Sequence, residues 1–135
     1  MNRHRILIAE DHVRLAEAFR KLLEPEFEVI GIVSDGRSLV REAVQLRPDL
    51  ITLDLSMPLF NVKEAGRQLA ETAPNTKLLI VTMNEDAEIA TRALNGWADG
   101  YVLKKSASSE LVHAVREVLS GRQYMTPRLI RRVEG

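Results

Sequence analysis

Short apolar runs alternate with longer amphipathic stretches along this chain, and that alternation limits the fold more than any other feature. The runs are RILIA (5–9), EVIGIV (28–33), LITLD (50–54), KLLIVT (77–82) and GYVLK (100–104). Each is short and several are rich in Val and Ile, as suits a strand buried on both faces. Between them the apolar residues fall at helical spacing. Leu15, Phe19, Leu22 and Leu23 make one stripe, Leu39, Ala43 and Leu46 a second, and Leu111, Val115, Val118 and Leu119 a third. Pro25, Pro48 and Pro74 stand just ahead of strands, where a helix has to stop. Asn61 followed by Glu64 reads as a helix N-cap with a capping-box partner.

Strand-then-helix units of this kind build a parallel sheet with helices on both faces. Right-handed crossovers restrict the order of the strands. The expected fold is α/β, a single flavodoxin-like domain of five βα units with its five strands in the order 2-1-3-4-5. At 135 residues the chain has the length of one domain and can bury a core without disulfides. The expected domain covers residues 1–122. Residues 123–135, with Pro127 set to interrupt a helix, are expected as a tail or the start of a linker.

In an open parallel sheet, ligands sit beyond the carboxyl ends of the strands. Strand one leads into Glu10 and Asp11, strand three into Asp54, strand four into Thr82 and strand five into Lys104. Strands one and three are neighbours in the expected order, so three carboxylates converge in one crevice with a hydroxyl and an ammonium opposite. Three like charges at that range repel one another. A hard divalent cation relieves them, and oxygen ligands with open positions suit Mg²⁺. A free oxygen of Asp54 can then act as a nucleophile and form an acyl phosphate. Thr82 is placed to donate to a phosphoryl oxygen and Lys104 to oppose its charge. Each group alone has an ordinary explanation: an Asp after a strand is commonly a cap, Glu10–Asp11 the polar start of a helix, and Lys104 beside Lys105 a solvated pair. The joint pattern of five suitable groups at four strand ends is what points to phosphoryl chemistry.

The motifs AEDH, LDLSMP, VTM and DGYVLKK, each at a strand end, resemble the receiver domain of two-component response regulators. The resemblance covers residues from about 4 to 122. It implies that Asp54 accepts a phosphoryl group from a sensor histidine kinase. It implies that Glu10, Asp11 and Asp54 bind Mg²⁺ with help from the Ser56 main-chain carbonyl. It also implies that Thr82 and Lys104 sense the phosphoryl group and that Tyr101 is the switch aromatic. The output is then a change in the face made by the fourth helix, fifth strand and fifth helix, controlling homodimerisation or an output domain. The ending VLSGRQYMTPRLI looks like the NarL/FixJ-type branch, which implies transcriptional regulation with DNA contacted only through a helix-turn-helix domain. These 135 residues hold no such second domain, so the chain is expected as an excised or a stand-alone receiver. Two positions depart from the pattern. Val62 stands where the family usually has glycine, and Trp97 where it usually has alanine. Trp97 reads as a partly buried loop aromatic, with a partner surface as the functional alternative.

Two other classes compete. A phosphatase resembling the haloacid dehalogenases also uses Asp, Ser/Thr, Lys and Mg²⁺. Its motif needs a second acid two residues after the nucleophile, where this chain has Ser56, and its nucleophile ends the first strand rather than the third. A degenerate receiver acting only by protein contacts is opposed by the intact five-residue set. Composition closes further classes. Formal net charge is zero, which argues against a strong nucleic-acid footprint, and the absence of cysteine excludes thiol chemistry and Cys-based metal sites. His4, His12 and His113 are scattered and do not form a metal motif. No apolar run is long enough to span a bilayer or to serve as a signal peptide, so a cytoplasmic protein without membrane contact is expected.

Overall fold

The computed structural model describes residues 3–134, apart from the side chains of residues 62, 63, 133 and 134. Its elements run β1 (Arg5–Ala9), α1 (Val13–Leu23), β2 (Glu28–Val33), α2 (Gly36–Leu46), β3 (Leu50–Leu53), α3 (Val62–Thr72), β4 (Lys77–Thr82), α4 (Ala87–Gly96), β5 (Gly100–Leu103), α5 (Ala107–Leu119), β6 (Tyr124–Met125) and α6 (Pro127–Glu134). All strands are parallel, in the order β2-β1-β3-β4-β5-β6. The expected order 2-1-3-4-5 is present, and a sixth short strand extends the β5 edge.

Alternation along the strands sorts the core into two layers, because successive side chains leave a strand on opposite faces. Ile6 and Ile8 of β1 face Phe19 and Leu23 of α1 and Leu111, Val115 and Val118 of α5. Leu7 and Ala9 face the other way, toward Leu39 and Ala43 of α2 and Leu69 of α3. On that second side Ile80 and Tyr101 meet Ala90 and Ala93 of α4. Of the expected stripes, Phe19, Leu23, Leu39, Ala43, Leu111, Val115 and Val118 are fully buried, and Leu15, Leu22, Leu46 and Leu119 pack partly buried at the margins. Gly100 lets α5 pack close against the sheet: a Cβ there would stand 2.5 Å from Leu79 and 2.9 Å from Val118.

Helix ends follow the local signals. The Asn61 side chain accepts from the Glu64 N–H, as a cap should, while the Glu64 carboxylate pairs with Arg67 at 2.7 Å. Val62 takes the first helical position of α3; its side chain lies outside the described residues. α2 closes with Arg47 in the left-handed conformation (φ 48°) directly before Pro48.

The segment from 123 onward differs from a plain tail. Tyr124 and Met125 pair with Gly100 and Tyr101. Thr126, fully buried, donates its N–H to the Tyr101 carbonyl at 3.0 Å and accepts the Leu103 N–H on its hydroxyl at 3.1 Å. Pro127 opens a helix instead of interrupting one, because its missing N–H is not needed in a first turn. Leu129 then buries completely beside α4 and Tyr101.

Candidate functional site

Parallel pairing brings the expected groups to one end of the sheet. Ala9 is the partner of Leu53, so the next residues, Glu10 and Asp54, emerge side by side. Thr82 is likewise the partner of Leu103, which places Lys104 one step beyond it in the short 3₁₀ turn Lys104–Ser106. The backbone is secured at the mouth: the Asp54 N–H donates to Ala9 O at 3.0 Å and the Glu10 N–H to Val33 O at 2.9 Å.

Glu10 and Asp54 are both buried, with side chains 1 % exposed, and neither could carry its charge there alone. Lys104 answers both. Its ammonium lies 3.0 Å from Glu10 Oε1 and 3.2 Å from Asp54 Oδ2. The other Asp54 oxygen, Oδ1, accepts the Ser56 N–H at 3.0 Å and the Ser56 hydroxyl at 2.8 Å. Burial on its own pushes the Asp54 carboxyl up; the Ser56 bonds and the Lys104 charge outweigh it and hold the group below its usual range. Burial likewise pulls Lys104 down, and Glu10 and Asp54 together reverse that, so its ammonium is held above the ordinary lysine range.

Asp11, at the mouth, is half-buried, and its Oδ1 is a buried oxygen without a hydrogen-bond partner. Glu10, Asp11, His12 and Asp54 each offer a ligand atom within 4.8 Å of the others. Two of the three carboxylates share one ammonium, and the third, Asp11, keeps an orphaned oxygen: the donor set fits a hard, oxygen-seeking divalent cation. Ser56, which the resemblance involves through its carbonyl, also holds Asp54 through its amide and hydroxyl.

Thr82 is buried, and its hydroxyl oxygen accepts the Asn84 N–H at 3.2 Å. Tyr101 is fully buried and donates to the Asn84 carbonyl at 2.9 Å. Burial, with the Asp86 charge behind it, pushes its hydroxyl up to about 12. Tyr101, the expected switch aromatic, thus lies inside, packed in the cluster that holds α4 and Leu129. Trp97, the C-cap of α4, is partly buried between the two second-side clusters and lies over Gly66 of α3, which accords with a packing role.

Sequence reasoning passed over His12. It is exposed, but its N–H and Nδ1 both lie 3.1 Å from Glu10 Oε2, so it holds that carboxylate in place. Its position directly after the acidic pair was the available signal. Gly36 was also missed. Its N–H donates to the Pro58 carbonyl at 3.0 Å, and a Cβ there would come 2.1 Å from Leu59 O, so only glycine lets the β3–α3 loop lie against α2. Leu59 itself sits at φ 55°.

A family model described as the response regulator receiver domain matches residues 6–116. The transcriptional regulatory protein DegU of Brevibacillus brevis is 35 % identical over 130 residues, covering 95 % of this chain and 55 % of that protein. The oxygen regulatory protein NreC of Staphylococcus epidermidis is 36 % identical over 131 residues, covering 93 % and 59 %. The chain therefore spans little more than half the length of these curated relatives. A LuxR-family two-component response regulator from Aurantimonas sp. SI85-9A1 superposes with a TM-score of 0.88 at 31 % identity, over 97 % of this chain and 94 % of that one. The isolated receiver domain of RcsB from Salmonella enterica serovar Typhimurium, solved with the phosphomimetic BeF₃⁻, gives 0.87 at 25 % identity over 96 % and 98 %.

Proposed function

This chain belongs to the response regulator receiver domain family, a signalling rather than an enzyme family, and on that premise we propose that Asp54 is its phosphoacceptor. The observation that carries the reading is the state of that carboxylate. It is buried and ionised, held on one oxygen by Ser56 and on the other by Lys104, with Glu10 and Asp11 beside it. An oxygen of Asp54 attacks the phosphorus of a phosphohistidine on a sensor kinase. The new O–P bond forms as the P–N bond breaks, and the departing imidazole takes up a proton. Phosphoryl transfer needs little from a protein beyond such positioning and charge neutralisation. Lys104 follows the charge to the phosphoryl oxygens, and the Thr82 hydroxyl donates to another of them.

Glu10, Asp11, Asp54 and the Ser56 carbonyl are the residues that would hold Mg²⁺, which neutralises charge on the transferred group when bound. The family match decides against the haloacid-dehalogenase reading, and the missing second acid at Ser56 gives the chemical reason. The full set of acceptor, acids, Thr82 and Lys104 in one crevice favours an active over a degenerate receiver. Output through the α4–β5–α5 face, homodimerisation, and DNA contact through a further domain are part of the same proposal. They are supported by relatives such as DegU, a transcriptional regulator, and by RcsB, solved as dimers bound to DNA. No helix among the described residues is long and apolar enough to cross a membrane, and a cytoplasmic location belongs to the proposal.

Incubation with Mg²⁺ and acetyl phosphate, read by intact mass, tests it. One phosphoryl group is expected on the wild type and none on Asp54→Asn. Continuous turnover of phosphate esters, or equal labelling of Asp54→Asn, would refute the reading.

A further inference from the structure

We propose that the C-terminal helix α6 is a strap, fastened to the β4–α4 loop by the carboxylate of Glu85 and released when Asp54 is phosphorylated. The inference rests on the phosphoacceptor reading and adds to it a regulated element outside the crevice.

Glu85 stands in the loop between Thr82 and α4 and gathers cations from two other elements. Its Oε2 accepts from Lys105 at 2.6 Å, in the turn after β5. Its Oε1 lies 3.3 Å from Arg132 and 3.7 Å from Arg128, both on α6, and its carbonyl accepts from Arg132 at 2.9 Å. Arg128 and Arg132 are one turn apart and so share a face of the helix. Leu129, on the adjoining face, is fully buried against α4 and Tyr101. Lys105 first, then the two arginines, hold the Glu85 carboxyl below its usual range. Exposed ion pairs are weak one at a time. Here several converge on one residue, so their joint strength depends on where that residue is held.

Its position is tied to the crevice from both sides. On the loop side, the preceding residue, Asn84, gives its N–H to the Thr82 hydroxyl and its carbonyl to the Tyr101 hydroxyl. On the other side, Lys105 follows Lys104, whose ammonium bridges Glu10 and Asp54. A phosphoryl group on Asp54 places new acceptor oxygens beside Thr82 and Lys104. When Thr82 turns to donate to them, its oxygen leaves the Asn84 N–H. When Lys104 moves onto them, Lys105 moves with it. Both changes pull Glu85 out of register with Arg128 and Arg132, and α6 loses its polar fastening. Coupling of this kind is reciprocal: whatever factor phosphorylation takes from α6 docking, undocking returns to binding of the phosphoryl group.

Hydrogen exchange over residues 127–132, followed by mass spectrometry on the full chain with Mg²⁺, tests the strap. Intact mass is read on the same samples with and without acetyl phosphate. Exchange is expected to rise about tenfold on phosphorylation, within the usual range for two coupled sites. Glu85→Gln, which keeps the shape and removes the charge, is expected to raise exchange about threefold without phosphodonor, as the loss of a few exposed ion pairs would. Arg132→Gln should do the same, and both should bind beryllofluoride more tightly than wild type, by less than that factor because α6 stays largely docked. If a phosphoryl group is present and exchange over 127–132 is unchanged or slower, the strap is wrong and the receiver reading stands. If no phosphoryl group is added, both fall. Wild-type exchange in both variants would also overturn the strap.

Discussion

Replacing Lys104 by Ala isolates the electrostatic design of the crevice. Its ammonium is 3.0 Å from one buried carboxylate and 3.2 Å from another, and both side chains are 1 % exposed. Removing one partner of a buried pair leaves uncompensated charge and costs about 3–5 kcal/mol. The low end applies, because the crevice opens to water past Asp11, whose side chain is 29 % exposed. A loss of about 3 kcal/mol corresponds to a drop in Tm of about 10 °C for a domain of this size. Urea and thermal unfolding in metal-free buffer at neutral pH measure it. Saturating Mg²⁺ should narrow the gap, because a bound cation compensates the same carboxylates. Acid should narrow it too. In the wild type the Asp54 carboxyl is depressed below 3.8, so its contribution is complete above that value and is lost as pH falls through the folded value. Burial is the largest influence on that group and pushes it up; without Lys104 less opposes it, and the variant's carboxyl takes up a proton at higher pH than the wild type's. The unfavourable charge is then discharged first in the variant, and the two proteins converge as pH falls. A Lys104→Ala protein as stable as wild type in metal-free buffer, or a gap that widens in acid, would refute the view that one ammonium holds these two acids together.

Thr82→Ala should still accept a phosphoryl group but couple it poorly to self-association, and should lose about 1 kcal/mol for the unmade Asn84 bond; labelling and sedimentation on the same samples check both. Asp11→Ala should weaken Mg²⁺ binding at least about tenfold, the lower bound even for residues that only support a ligand, as read by calorimetry. Gly36→Ala should cost about 1–3 kcal/mol through overpacking against Leu59, and should slow phosphoryl labelling because the displaced loop carries Ser56. Unfolding curves and labelling rates separate the two effects.

What could be read from the sequence, and what could not, divides along the range of the forces involved. The five long strands were legible because their apolar runs and the stripes between them are local patterns set by the pleat and the helical turn. The crevice was legible because strand order and register then place Glu10, Asp54, Thr82 and Lys104 together. β6 was not, since two residues have no periodicity and their pairing with Gly100 and Tyr101 is a long-range contact. Pro127 misled because the same residue that breaks a helix from within also starts one. The inward Tyr101 and the grip of Glu85 on α6 depend on which side chain reaches which carbonyl or charge across the fold, and no spacing encodes that. His12 was dismissed as one of three scattered histidines, although the short loop after β1 brings its ring to Glu10.

Chemistry can locate the phosphoryl group on the chain directly. An acyl phosphate on a carboxyl side chain is reduced by borohydride to the alcohol, which converts a phosphorylated aspartate to homoserine. The chain is labelled with acetyl phosphate and Mg²⁺, reduced, digested and sequenced by tandem mass spectrometry. Homoserine is expected at position 54, and none at position 54 when the phosphodonor is omitted. Reduction at Asp11 or at another acid with Asp54 intact, or no reduced residue in a sample that carries the added phosphoryl mass, would contradict Asp54 as the phosphoacceptor.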